Sequence, residues 1–114
     1  MQRVPVVIAA AQLTTSAAAY YTAPGGGAVA TINNLSLTNT TATAATVTLH
    51  RVPSGGSPGA ANMIVSAFSI PPGKTYVPPQ VLGMHMSTGM TLQALSDTAS
   101  AITIAGGAYE TSGS

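Results

Sequence analysis

The chain has 114 residues, of which three are lysine or arginine and two are aspartate or glutamate, with a net charge of +1 and no cysteine. A soluble globular domain carries roughly 25% charged residues; here there are Arg3, Arg51, Lys74, Asp97 and Glu110. This composition excludes a disulfide scaffold, a thiolate metal site and a basic field for nucleic acid or anionic lipid. It also leaves very little for acid/base, nucleophilic or metal chemistry.

The apolar opening, residues 4–11, is far short of the about 20 residues that cross a bilayer. Arg3 and the alanines at 9–11 imitate the ends of a secretory signal, but Pro5 interrupts the run. The segment reads as an N-terminal arm or a first strand. The organisation expected is an arm over residues 1–13 and one β-sandwich domain over residues 14–114.

Residues 17–22 read as a strand ending at Pro24-Gly25-Gly26-Gly27, whose glycines accept positive φ, so that a hairpin returns at Ala28. Residues 29–38 follow, alternating at their end but slipping phase at Asn33-Asn34, the mark of a bulge. Asn39-Thr40-Thr41 turns the chain. In residues 45–52, Val47 and Leu49 share one face while Thr46, Thr48 and His50 share the other, the period-2 signature of a half-buried strand. His50 is expected to face solvent or an interface. Pro53, Ser54, Gly55, Gly56, Ser57, Pro58 and Gly59 then read as a loop with no element of its own.

A strand resumes over residues 63–70, with Ile64, Phe68 and Ile70 on one parity, before the turn Pro71-Pro72-Gly73. Residues 74–77 make a short edge piece stopped by Pro78-Pro79, which remove two ladder donors. Residues 81–86 and 90–96 flank the turn Ser87-Thr88-Gly89, and residues 101–110 close the chain. Seven to eight short strands spaced by Gly/Pro turns predict an all-β antiparallel sandwich of jelly-roll or immunoglobulin-like topology. With four tyrosines, one phenylalanine and no tryptophan, its core is aliphatic and shallow, and oligomerisation is a standard way to stabilise such a core.

No constellation reads as catalytic, cofactor-binding or metal-ligating. Gly73-Lys74-Thr75 ends like a phosphate-binding loop, but Phe68 stands where the first glycine belongs and no helix follows; the lysine reads as an edge guard. Asp97 and Glu110 are the only possible carboxylate pair. Gly55-Gly56-Ser57-Pro58-Gly59 has the G-x-S-x-G spacing but lies within the Pro/Gly loop with no helix after it, so it makes no nucleophile elbow, and neither His50 nor His85 has a carboxylate or second histidine close in sequence. Asn34-Leu35-Ser36 and Asn39-Thr40-Thr41 match the glycosylation sequon. Met84, Met86 and Met90 alternate with polar residues, as core filler or as a soft contact patch.

The stretch from TVTLHRVPSGGSPGAANMI through SIPPGKTYVPP to STGMTLQALSD, preceded by YYTAPGGGAVATINNLSLTN, resembles small virion structural proteins of tailed bacteriophages. The shared pattern is an opening hairpin, a VPSGGSPG-like loop, a strand opening with Asn, and two glycine turns that each precede a strand, over roughly residues 19–110. The chain departs from it at Pro71-Pro72, Pro78-Pro79 and Met84-His85-Met86. The resemblance implies a capsid decoration (cement) protein, with tail or head-to-tail accessory modules as the alternative and a glycan- or host-surface-binding module behind them. The implied partners are the major capsid protein or other virion proteins, and the chain itself in a homo-oligomer, dimer or trimer, on the particle. Contact is expected through the arm, at Val4, Val6, Val7 and Ile8, and through Arg51 with the loop Pro53, Ser54, Gly55, Gly56, Ser57, Pro58 and Gly59. No cofactor, nucleic acid or membrane is implied.

Overall fold

The computed structural model describes residues 3–24, 29–79 and 81–111. Among them are nine strands: β1 (Arg3–Gln12), β2 (Ala18–Thr22), β3 (Val29–Asn39), β4 (Ala45–Val52), β5 (Met63–Ile70), β6 (Thr75–Tyr76), β7 (His85–Met86), β8 (Thr91–Ser96) and β9 (Ile102–Thr111). One sheet runs β1-β9-β3-β6, with β7 also on β3, and the other runs β2-β8-β4-β5. All described pairings are antiparallel. Successive strands cross between the sheets except for β6 and β7, which both lie on β3, and for β4 with β5, the one consecutive pair joined edge to edge among the described residues. That crossing pattern is a jelly roll rather than an immunoglobulin-like fold.

Two expectations change with this topology. Residues 3–12 are not a free arm, because β1 pairs with β9 from Arg3 opposite Thr111 to Gln12 opposite Thr103. Nor do β2 and β3 form a hairpin: β2 pairs with β8 and β3 with β9. The glycines expected to make that turn, residues 25–27, lie outside the described residues, as does Ala28. Hairpins and arches between sheets use the same turn residues, so the partner of each strand is decided by where its apolar face is buried.

The interior is aliphatic. Ile32, Leu35 and Leu37 of β3 meet Ile102 and Ile104 of β9 in one sheet, and Val47 and Leu49 of β4 meet Leu92 and Ala94 of β8 in the other; all are fully buried. The phase slip at Asn33 is a bulge, since Ile32 faces Ala108 while Asn34 already faces Gly107. The extra residue puts Ile32 and Leu35 on the same inward face although three positions separate them.

β5 departs from its expected parity. The register opens twice, between Phe68 and Val65 and between Val65 and Met63, where β4 advances by fewer residues. Ala67 lies at φ 45° in the first bulge, its N–H donating to Thr48 Oγ1 at 3.0 Å. Val65 and Ile70 are therefore the buried residues, Ile64 is half-buried and Phe68 stands exposed at the sheet edge. Phe68 stacks on Tyr76 of β6, ring centroids 3.9 Å apart and 12° from parallel, and so closes one side of the sandwich between the two sheets.

Near the start of β3 the sheets are joined by a polar contact. The Tyr21 hydroxyl of β2 donates to Glu110 Oε2 of β9 at 2.6 Å, on a ring that is itself buried. Burial first, and then the Glu110 carboxylate, push this hydroxyl well above its ordinary value of 10. Below pH 10 both folded and unfolded chains keep the proton, so the contribution is fully present. Above it the unfolded chain releases a proton that the folded chain holds, and stability falls as pH rises, by at most about 1.4 kcal/mol per pH unit. Tyr21→Phe is expected to cost about 1–2 kcal/mol at pH 7 and to flatten this alkaline slope; thermal melts from neutral to strongly alkaline pH measure both.

Candidate functional site

β4 leaves the second sheet at Val52 and enters the segment in which contact residues were expected. Pro53, Ser54, Gly55, Gly56, Ser57, Pro58 and Gly59 are all exposed, but the loop is not structureless. The Gly56 N–H returns to the Pro53 carbonyl at 2.9 Å with Gly55 at φ 75°, a type II turn that needs glycine at its third position. A short 3-10 turn, Ala60–Asn62, completes the loop.

Asn62 ties the second half of this loop together. Its Nδ2 donates to the Ser57 carbonyl at 2.9 Å, its Oδ1 accepts the Gly59 N–H at 3.0 Å, and the same oxygen lies 2.9 Å from His50 Nδ1. The loop is thus folded back over His50, which is 4% exposed. The expectation of a solvent-facing His50 is corrected: its parity is outward, as read from sequence, but the loop covers that face. His85, by contrast, is exposed, with Nδ1 3.2 Å from Thr31 Oγ1. No cluster of three metal-ligating His, Cys, Asp or Glu occurs among the described residues.

Between this loop and the turn before β8 lies a cleft of about 530 Å³, walled by Pro53, Met63, Ile64, Met84 and Met90, with Arg51 at its rim. Arg51 occupies the inward parity of β4, opposite the buried Leu92. Its guanidinium therefore reaches over the mouth of the sandwich, where Nη1 donates to the His85 carbonyl at 3.2 Å. The rim is braced from the far side as well. Gly89, at φ 79°, packs so closely on Ser54 that a Cβ there would collide with it. Met90 Sδ accepts the Ser87 N–H at 3.3 Å. The three methionines give a soft wall that can adapt to what it meets.

The expected contact residues of β1 lie elsewhere, on the first sheet. Val7 is 79% exposed and Val4 is also exposed, whereas Val6 is half-buried against the core and Ile8, 1% exposed, belongs to it. The structure therefore does not gather β1 and the loop into one patch, and Ile8 is a core residue. Sequence reasoning missed Met63 and Ile64 as cleft residues. Of the methionines it singled out, Met84 and Met86 are both buried in the core, and Met84, together with the half-buried Met90, also lines the cleft.

The charged residues are confined to the ends and turns. Glu110 turns inward to Tyr21, Lys74 sits in the turn before β6, and Asp97 follows the last residue of β8. The Asp97 carboxylate accepts the Thr46 N–H at 2.9 Å, which holds it below the ordinary carboxylate range. The possible carboxylate pair is thereby separated to opposite ends of the molecule. Asn39, in the second sequon, is fully buried, with its amide nitrogen committed to two carbonyls, so the folded chain offers no acceptor there.

No protein-family model matches the sequence, and no curated protein does. Among solved structures, a chain from Bacillus endospore appendages, described as forming a novel family of disulfide-linked pili, is similar to this one at a TM-score of 0.60 and 17% identity. The match covers 99% of this chain and 88% of that chain. At this identity the likeness establishes a shared β-sandwich fold. Since this chain has no cysteine, it forms no disulfide of its own.

Proposed function

We propose that this chain is a structural, non-enzymatic subunit of a tailed-bacteriophage particle, seated on the outer capsid surface as a decoration protein that stabilises the shell. The observation that carries the reading is the distribution of charge. Between the turns, the outer face of the first sheet presents Pro5, Val7, Gln12, Thr38, Thr103 and Thr31, and that of the second presents Thr46, Thr48, Thr91 and Gln93. Uncharged small side chains lose little on leaving water, so broad faces of this kind can be covered by neighbours at low desolvation cost. Stable attachment needs interfaces of about 1,200–2,000 Å².

Two further supports come from outside the faces. The fold is one that a pilus subunit also uses, and pili are built from repeated copies; without cysteine, the corresponding contacts here are noncovalent. The run of turns and strands from residue 19 to 110 resembles phage virion proteins. The test is immunogold labelling and mass spectrometry of purified particles whose tails have been detached. Label on the heads is the expected result. Label confined to tails or necks moves the protein to the accessory role, and its absence from particles overturns the virion reading.

A further inference from the structure

Strand β4 has a cation at one end and an anion beside the other. Arg51, next to last in the strand, overhangs the methionine cleft. Thr46, second in the strand, donates its N–H to Asp97 Oδ1 at 2.9 Å. Five residues of extended chain separate these points, about 17 Å at the rise of a strand, so the two charges cannot meet within one molecule. Both side chains are exposed, and neither has an ion-pair partner among the described residues.

We propose that they meet between copies: the turn after β8 of one molecule enters the cleft of the next, with Asp97 on Arg51 and Thr98 and Ala99 against Met63, Met84 and Met90. This inference rests on the reading of the chain as an assembling structural subunit, and it names the partner as a second copy.

The two surfaces fit by shape as well as charge. Oδ1 of Asp97 takes the hydrogen bonds from the Thr46 N–H at 2.9 Å and from the Thr98 hydroxyl at 3.2 Å, and the exposed carboxylate, with about four lone-pair sites, keeps room for an incoming guanidinium. Arg51 spends one N–H on His85, and its planar fork keeps donors for a carboxylate. The turn is narrow and built of the small exposed residues Thr98, Ala99 and Ser100. A cleft of about 530 Å³ is of the size that takes a compact ligand rather than a sheet face.

Both sides are set before they meet. The turn is held by Ser100 N–H on the Leu13 carbonyl at 3.1 Å, Ser96 N–H on the Thr14 carbonyl at 2.9 Å and Thr98 N–H on Ser96 Oγ at 3.2 Å. The cleft is held by Asn62 and by the Ser54–Gly89 contact. Little ordering cost therefore remains for association. Because each copy offers its turn to one neighbour and its cleft to another, the contact is head-to-tail; it closes as a ring or runs on as a filament.

Sedimentation velocity on the full chain across a wide concentration range tests this. Arg51→Glu and Asp97→Arg are each expected to raise the concentration needed for assembly by at least about tenfold, because each sets like charges face to face. An equimolar mixture of the two variants is expected to recover assembly, since every cleft then finds a turn of opposite sign. Arg51→Gln and Asp97→Asn, the latter keeping an oxygen for Thr46, guard against misfolding; they are expected to weaken assembly in the same direction with unchanged thermal melts. Wild type that assembles while all variants assemble equally well overturns the head-to-tail contact and leaves the structural-subunit reading intact. A mixture that fails to recover overturns the pairing of these two residues. Wild type that stays monomeric at every concentration overturns the self-contact, while particle labelling decides the subunit reading independently.

Discussion

Gly106→Ala is expected to destabilise the protein by about 3 kcal/mol or more, the upper end of what an overpacked position costs. Gly106 lies in the middle of β9, opposite Leu35 of β3 and Ile8 of β1. A Cβ built there overlaps the Asn34 carbonyl oxygen and comes within 3.0 Å of Leu35 Cα. The obstacle is backbone rather than a flexible side chain, so relief requires moving β3 against β9, the central pair of the first sheet. The close approach lies directly beside the bulge at Asn33, where β3 has one residue more than β9. Gly107→Ala is the control: its Cβ meets only the Val6 carbonyl, at 3.3 Å, and a change of about 1 kcal/mol or less is expected from so small a displacement. Urea unfolding of the two variants, with equal slopes and different midpoints, measures the contrast. Equal midpoints would show that the strands are not in this register.

The second large effect is expected at Asn39. Its side chain is fully buried and completely hydrogen-bonded: Nδ2 donates to the Thr43 carbonyl at 2.8 Å and the Ile70 carbonyl at 2.9 Å. Oδ1 accepts the Thr41 N–H at 2.9 Å and the Thr41 hydroxyl at 2.7 Å. Its backbone adds two more bonds, donating to the Lys74 carbonyl at 2.9 Å and accepting the Gly73 N–H at 3.0 Å. One residue thus fixes the turn after β3, the end of β5 and the turn leading into β6. Asn39→Ala leaves the buried Ile70 carbonyl without this donor, whereas the exposed Thr43 carbonyl keeps the Thr41 hydroxyl at 2.9 Å; one buried orphan costs about 1–3 kcal/mol, and with the Thr41 bonds to Oδ1 lost as well the upper part of that range is expected in chemical denaturation. Asn39→Asp is expected to be worse at neutral pH, since it sets a carboxylate against two carbonyl oxygens, and to recover as pH falls. That recovery has a definite sign: surroundings that disfavour the charged form raise the folded carboxyl above its unfolded value, so protonation favours the folded chain. An Asn39→Ala variant as stable as wild type would mean that the buried network contributes nothing net.

The sequence pattern showed the class of fold and many of its strands, and the reasons differ from place to place. β4 was legible because its alternation runs undisturbed from Ala45 to Leu49, and the bulge in β3 because two asparagines break an otherwise regular alternation. β5 was not, because two bulges within eight residues shift its parity twice, and nothing in its composition distinguishes Ile64 from Val65. Strand partners were hidden for another reason. Pro24 and the glycines after it signal a change of direction, not whether the chain returns beside itself or crosses to the facing sheet. The loop was visible as a contact candidate, but its cleft was not: Arg51, Met63, Met84 and Met90 come from four separate stretches and meet only through the jelly-roll crossings. His50 kept its predicted outward parity and was nevertheless buried, because Asn62, twelve residues later, draws the loop over it.

The position of β9 has a consequence for how the chain reaches this structure. The last strand in sequence is the second in its sheet, between the first strand and the third. Until it arrives, β1 has no neighbour along either edge, and β3 has only the two-residue strands β6 and β7. The first ten-residue strand must therefore wait for the last, across a loop that includes nearly the whole chain. Long closures of this kind lose entropy before any contact compensates for it, and they make folding slow relative to stability. The second sheet, with its β4–β5 hairpin, can begin from a local contact, so it is the half of the sandwich that can form while the other is still open.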